Sequence, residues 1–215
     1  MAEVPKARAR RNVREQRVFL CALAVCTMAA LVAFAAMYVP AGNAYWNYSP
    51  QEGDILFQSL PHSPLVDAIE GASGSPYSHC GIVADDDGRW VVLEAYRNVE
   101  VTPLREFIFR GRGQGFAVYR LRTDQRHHIP ATIANAKSYL GRPYDSRYRM
   151  DDERIYCSEL IYKAYRDATG QPLGPLVTLG ELSWQPYEQT ITDFERGPAP
   201  LDREMITPKH MAQAE

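Results

Sequence analysis

Residues 18–39 form an uncharged run of 22 positions, whereas beyond Gly53 the apolar residues fall into short clusters. A helix crossing the hydrocarbon core needs about 20 apolar residues, so the run predicts a membrane-spanning helix. Past Gly53 two periods alternate. Ile55-Leu56-Phe57 reads as a short strand, and residues 63–69 as a loop or short helix, broken by Gly71, Gly74 and Pro76. Residues 79–84 and 89–96 read as two strands, the second dense in strand formers (Trp90, Val91, Val92, Leu93), joined by a turn at 85–88. Residues 116–121 predict a third strand. Residues 130–140 predict a helix with proline in its first turn and Gly141 past its end. In 157–168 apolar residues at 160, 161, 164, 165 and 168 keep helical spacing, and Gly170 ends the segment. There are no repeats, and the Pro- and charge-rich tail from Gly180 is expected to wrap the surface. Strands and helices in separate layers, rather than alternating βαβ units, predict an α+β fold.

Charge sharpens the picture of the N-terminus. Six basic residues (Lys6, Arg8, Arg10, Arg11, Arg14, Arg17) against Glu3 and Glu15 give residues 1–17 a net charge of +4, leaving −6 for the rest of a chain of net −2. A basic head abutting an apolar run is a topology signal rather than a nucleic-acid footprint, and it places the N-terminus in the cytoplasm with the body outside. Tyr38, Tyr45, Trp46 and Tyr48 follow as an interfacial aromatic belt would. The organisation expected is a basic cytoplasmic segment (1–17), an anchor (18–39), a linker (40–52) and a folded domain (53–210). The location expected is a bacterial inner membrane, single-pass, with the domain in the periplasm. The alternative is a signal peptide cleaved near Gly42-Asn43-Ala44, although an apolar signal core is usually only about 7–15 residues long. Val25 is too large for a lipidation site at Cys26, and Arg10-Arg11 lacks the context of a twin-arginine signal.

Of the four cysteines, Cys21 and Cys26 fall in the apolar run, so only Cys80 and Cys157 belong to the body. Cys157, in Tyr156-Cys157-Ser158-Glu159-Leu160, opens a predicted helix, and a helix N-terminus and an adjacent imidazolium are the two devices that favour a thiolate. His79 is the candidate imidazole. If 85–88 is a four-residue loop, His79 falls directly opposite Glu94, with Cβ atoms about 4.5–5.5 Å apart. A two-residue Asp87-Gly88 loop leaves Glu94 diagonal to His79 on the same face, and a three-residue loop puts it on the other face. Glu94 is therefore the candidate that orients the imidazole. Alternation sends Cys80 to the opposite face, into core with Ile82 and Ala84, so a Cys80–Cys157 disulfide is not expected. The Cys157 N–H and the Tyr144 hydroxyl are candidate donors for an oxyanion. Asp151, Asp152 and Glu153 are expected to face solvent, Glu159 to be a first-turn acid favoured by the helix dipole, and Asp54 to brace the first strand. His127-His128 has no supporting Cys, Asp or Glu spacing, so neither a metal nor another cofactor is expected.

Gly141-Arg142-Pro143-Tyr144 followed by Tyr156-Cys157-Ser158-Glu159-Leu160 resembles the NlpC-type papain-like hydrolases. The order Gly53-Asp54, Ser78-His79, Glu94-Ala95, Tyr-Cys-Ser-Glu-Leu resembles their circularly permuted YiiX/YaeF-like branch, over roughly residues 53–170 with an echo at Ile206-Thr207-Pro208. The resemblance implies a circularly permuted papain-like fold and a Cys157-His79-Glu94 triad. Tyr144 carries over less fully, because the glycines and tryptophan that often follow this tyrosine in unpermuted enzymes are absent. The expected function is a membrane-anchored thiol hydrolase that cleaves amide or ester bonds of envelope compounds such as peptidoglycan peptides. The alternatives are an acyltransferase or hydrolase acting on a lipid-like substrate, and a non-catalytic envelope binding module.

Overall fold

The structure, a computed structural model, describes residues 19–33 and 44–214. The chain divides into two units, residues 1–47 and 48–215. In the first, residues 19–33 are helical and exposed, as are the four helical residues 44–47 apart from a half-buried Tyr45. Residues 18 and 34–39 of the expected span lie outside the described residues. Among the described residues no helix is long and apolar enough to cross a membrane.

The second unit is built on a five-stranded antiparallel sheet, order β4-β3-β2-β1-β5: β1 (Ile55–Gln58), β2 (His79–Asp86), β3 (Arg89–Ala95), β4 (Val99–Pro103) and β5 (Phe116–Tyr119). Helix α1 (Pro64–Ser73) links β1 to β2. The reading of 63–69 as a loop or short helix resolves as a full helix: Ser63 caps it by accepting from the Val66 N–H at 3.3 Å, and Pro64 fits its first turn. The β2–β3 turn has two residues, Asp87 (φ 52) and Gly88 (φ 80), the left-handed pair that a tight hairpin of matching twist requires. The register with His79 directly opposite Glu94 is therefore wrong. Glu94 pairs with Gly81 and lies diagonal to His79.

Both sheet faces are covered, which is why β2 is buried from His79 to Ala84 instead of alternating. One face (Ile55, Phe57, Cys80, Ile82, Leu93) packs into a single core with α3 (Ile129–Ser138) and α4 (Cys157–Thr169). Helix α4 is central, with its first nine residues, Cys157 to Tyr165, all buried, and Gly170 (φ 73) ends it in the left-handed conformation. The other face carries Gly81, Val92, Glu94 and Thr102 under α2 (Leu104–Arg110). Gly81 is required there, since a Cβ would collide with Val92 and crowd Phe107 of α2.

The tail does more than wrap the surface, which corrects the expectation for it. After β6 (Val177–Thr178) and α5 (Glu188–Glu195), β7 (Glu204–Met205) pairs with β6 and leads into α6 (Pro208–Ala212). Ile206 is fully buried. Its N–H donates to the Tyr156 hydroxyl at 3.0 Å, and its carbonyl accepts from the Ser158 hydroxyl at 2.8 Å. The tail thus clamps both neighbours of Cys157.

Candidate active site

The last β2–β3 pair is Gly81–Glu94, and beyond it His79 and Cys80 pair with β1. Strand alternation sends His79 and Cys80 to opposite faces, but at this open sheet end both side chains reach Cys157 at the N-terminus of α4. The prediction that Cys80 belongs to core holds. Its remoteness from the site does not, because the Cys80 thiol is a hydrogen-bonding neighbour of Cys157. Both cysteines are free thiols.

His79 Nε2 lies 2.5 Å from Glu94 Oε2, which leaves Nδ1 for the thiol. Glu94 has no exposed surface and receives a two-pronged grip from Arg110, Nη1 to Oε2 at 3.0 Å and Nη2 to Oε1 at 2.9 Å. The Arg110 guanidinium lies over the Tyr96 ring at 4.1 Å, and His79 packs between Tyr96 and Phe107. Burial works against the charge on Glu94, but hydrogen bonds from His79, Arg110 and Thr102 outweigh it and hold the carboxyl down to about 2. Burial likewise works against an imidazolium, yet bonding to Cys157 and Glu94 lifts His79 to about 9. Hydrogen bonding from Cys80, chiefly its thiol, and the His79 charge favour the Cys157 thiolate against burial, so Cys157 lies well below an ordinary thiol while Cys80 is pushed well above one. The arrangement favours a thiolate–imidazolium pair, the form in which a cysteine attacks a carbonyl.

The remaining sequence candidates fall around this pair. Tyr144 runs beside Ile155 and shares a hydroxyl–hydroxyl contact of 3.1 Å with Tyr148. Tyr148 stacks on Tyr156 at 4.4 Å between centroids. Glu159 is the first-turn acid expected, and it is fully buried: Oε2 accepts from the Tyr156 N–H at 3.1 Å, and Oε1 lies 2.7 Å from the Lys163 ammonium. Asp152 and Glu153 are exposed and Asp151 half-buried, with Asp152 pairing with Lys163 at 2.8 Å. Asp54 braces its strand as expected, accepting from Arg120, Tyr48 and the Gln51 N–H.

Arg110 was not singled out from the sequence. It lies 16 positions from Glu94, on a seven-residue helix whose Leu104, Phe107 and Ile108 keep helical spacing but for which no element was predicted, and only the return of α2 over the sheet brings the two together.

Residues 49–215 match the family described as permuted papain-like amidase enzyme, YaeF/YiiX, C92 family. The chain belongs to this family. Among permuted papain-like amidases it is 32% identical over 173 residues to the uncharacterized protein YiiX of Escherichia coli K12, covering 78% of this chain and 84% of that one. A crystal structure described as metalloprotein yiiX from Escherichia coli O157:H7 superposes with a TM-score of 0.70 at 32% identity, covering 78% of this chain and 94% of that one. The permuted papain-like fold and an amidase-type cysteine hydrolase are thus established for the chain.

Proposed function

We propose that Cys157, His79 and Glu94 are the catalytic triad of this amidase, and that it cleaves amide or ester bonds of envelope compounds. The observation that carries this reading is the buried relay Cys157–His79–Glu94, closed by Arg110. The Cys157 thiolate attacks the carbonyl carbon, forming an S–C bond and a tetrahedral oxyanion. The Cys157 N–H, free at the first turn of α4, points a donor at that oxygen, and the Tyr144 hydroxyl is the proposed second donor. The His79 imidazolium protonates the leaving nitrogen or oxygen as its bond to carbon breaks. His79 then takes a proton from water, whose oxygen attacks the thioester, releasing the acid and regenerating the thiolate. Glu94 stays ionised throughout and holds the imidazole.

Among the described residues no three His, Cys, Asp or Glu side chains cluster to hold an ion. The related protein is described as a metalloprotein, and no step proposed here runs through a metal. The uncharged run at 18–39 after a basic head supports a proposed anchor in a bacterial inner membrane, with the domain facing the periplasm and a peptidoglycan peptide or lipid-like compound as substrate.

Turnover of peptidoglycan fragments and of acylated lipids by the native chain and by Cys157→Ala and His79→Ala tests the triad. Each substitution is expected to reduce kcat by roughly a hundredfold or more. Turnover that persists in Cys157→Ala would remove the reading.

A further inference from the structure

Cys80 and Cys157 are the two cysteines of the hydrolase unit, and both are free thiols without exposed surface. Strand β2 sets Cys80 opposite Phe57 of β1, on the face that packs into the core with α4. Cys157, the first residue of α4, meets it there, and the Cys80 side chain hydrogen-bonds the Cys157 sulfur. A core position needs only an apolar side chain of the right volume. A second thiol held against a nucleophilic one adds chemistry that packing does not require. Three groups needed for a two-electron oxidation stand together. Cys157 is the sulfur favoured as a thiolate, the form that peroxides oxidise. His79, bonded to Cys157, carries a proton for a leaving hydroxide. Cys80 is a second sulfur, kept as a thiol and already within hydrogen-bond reach.

We propose that Cys157 and Cys80 form a reversible oxidation site, which hydrogen peroxide closes into a disulfide. The Cys157 thiolate attacks one peroxide oxygen, forming an S–O bond as the O–O bond breaks. The leaving hydroxide takes the proton of the His79 imidazolium and departs as water. The Cys80 sulfur then attacks the sulfenic sulfur of Cys157. An S–S bond of about 2 Å forms, the S–O bond breaks, and the hydroxyl leaves with the Cys80 proton as water. The two thiols together lose two electrons, and the peroxide is reduced to two waters. The bridge withdraws Cys157 from attack on a carbonyl, and a dithiol reductant returns it. Without Cys80, a second peroxide takes the sulfenic acid on to sulfinic acid, which thiols do not reverse. Cys80 is thus the residue that keeps the oxidation of Cys157 reversible.

Peptide mapping by mass spectrometry, after excess hydrogen peroxide, tests this on the full chain and on Cys80→Val, whose side chain suits a buried strand. In the native chain the peptides carrying Cys80 and Cys157 are expected to be joined. In Cys80→Val, Cys157 is expected to gain two oxygens. Dithiothreitol should then restore iodoacetamide labelling of Cys157 about tenfold more fully in the native chain than in the variant. Cys80→Ala serves as the second variant, and a thermal melt shows that each has folded. Sulfinic acid at Cys157 of the native chain, with Cys80 still free, would overturn the proposal. Equal recovery in the native chain and both variants would overturn it as well, as would a bridge from Cys157 to Cys21 or Cys26. Iodoacetamide labelling of the untreated chain across pH reports thiolate activation, so failure of the triad is seen separately from failure of the bridge.

Discussion

Glu94 keeps its charge without solvent because Arg110 and His79 occupy both its oxygens. Its carboxyl sits at about 2, below its ordinary 4.5, so its contribution to stability is complete above that ordinary value and disappears as pH falls towards 2. His79 has the opposite sign: raised to about 9, it favours folding most below its ordinary 6.5 and loses that contribution as pH rises through 9. Activity that needs the thiolate–imidazolium pair should rise as Cys157 ionises, well below an ordinary thiol, and fall near 9 as His79 deprotonates. Arg110 grips Glu94, and we propose that it acts on this pair as a positioning residue. In Arg110→Met the Glu94 charge is less neutralised, so the alkaline fall is expected to move to higher pH and kcat to drop roughly tenfold to a hundredfold. Arg110→Lys should restore only part, lacking the two-pronged grip. A pH–rate profile of Arg110→Met that matches the native one would remove the assignment.

Helix α4 carries both the proposed nucleophile, Cys157, and a buried ion pair. Lys163 and Glu159 face each other one turn apart with side-chain exposures of 3% and 0%. Burial pushes the Glu159 carboxyl up to about 7 despite the ammonium, a sign of how costly the enclosed charge is. Its stability contribution is greatest below the ordinary 4.5 and is lost as pH rises through 7. Lys163→Met is expected to destabilise the fold by about 3–5 kcal/mol at neutral pH, measured by urea unfolding. The loss should shrink below pH 5, where Glu159 is neutral in either chain, and a pH-independent loss would point to packing instead. The spacing of this pair was visible in the sequence, as were the helix bounds and Gly170. Its burial was not, because the tail that covers the N-terminal turn of α4, through Ile206 bonded to Tyr156 and Ser158, lies some 50 positions away.

At the scale of the whole molecule, the proposed anchor predicts where the protein is found. The full chain should stay with membranes through a high-salt wash and leave only with detergent. A soluble mature protein beginning near Tyr45 would instead establish a cleaved signal. The basic head and the uncharged run are local features of composition, so they can be read without any structure.

The same division holds inside the hydrolase unit. The sequence by itself determined the elements with a clear period, the glycine stop of α4, and the candidate group Cys157, His79 and Glu94, because periodicity, caps and a hairpin's shared face are short-range properties. It left the register open among three hairpin loop lengths, and the left-handed pair Asp87-Gly88 settled it in favour of the two-residue loop with Glu94 diagonal. Only the tertiary structure decided that Arg110 holds Glu94 and that Cys80 lies against Cys157 although alternation turns it away from His79. Those are contacts between segments far apart in the chain, and where they meet depends on how α2 and α4 pack on opposite faces of one sheet, not on any local pattern.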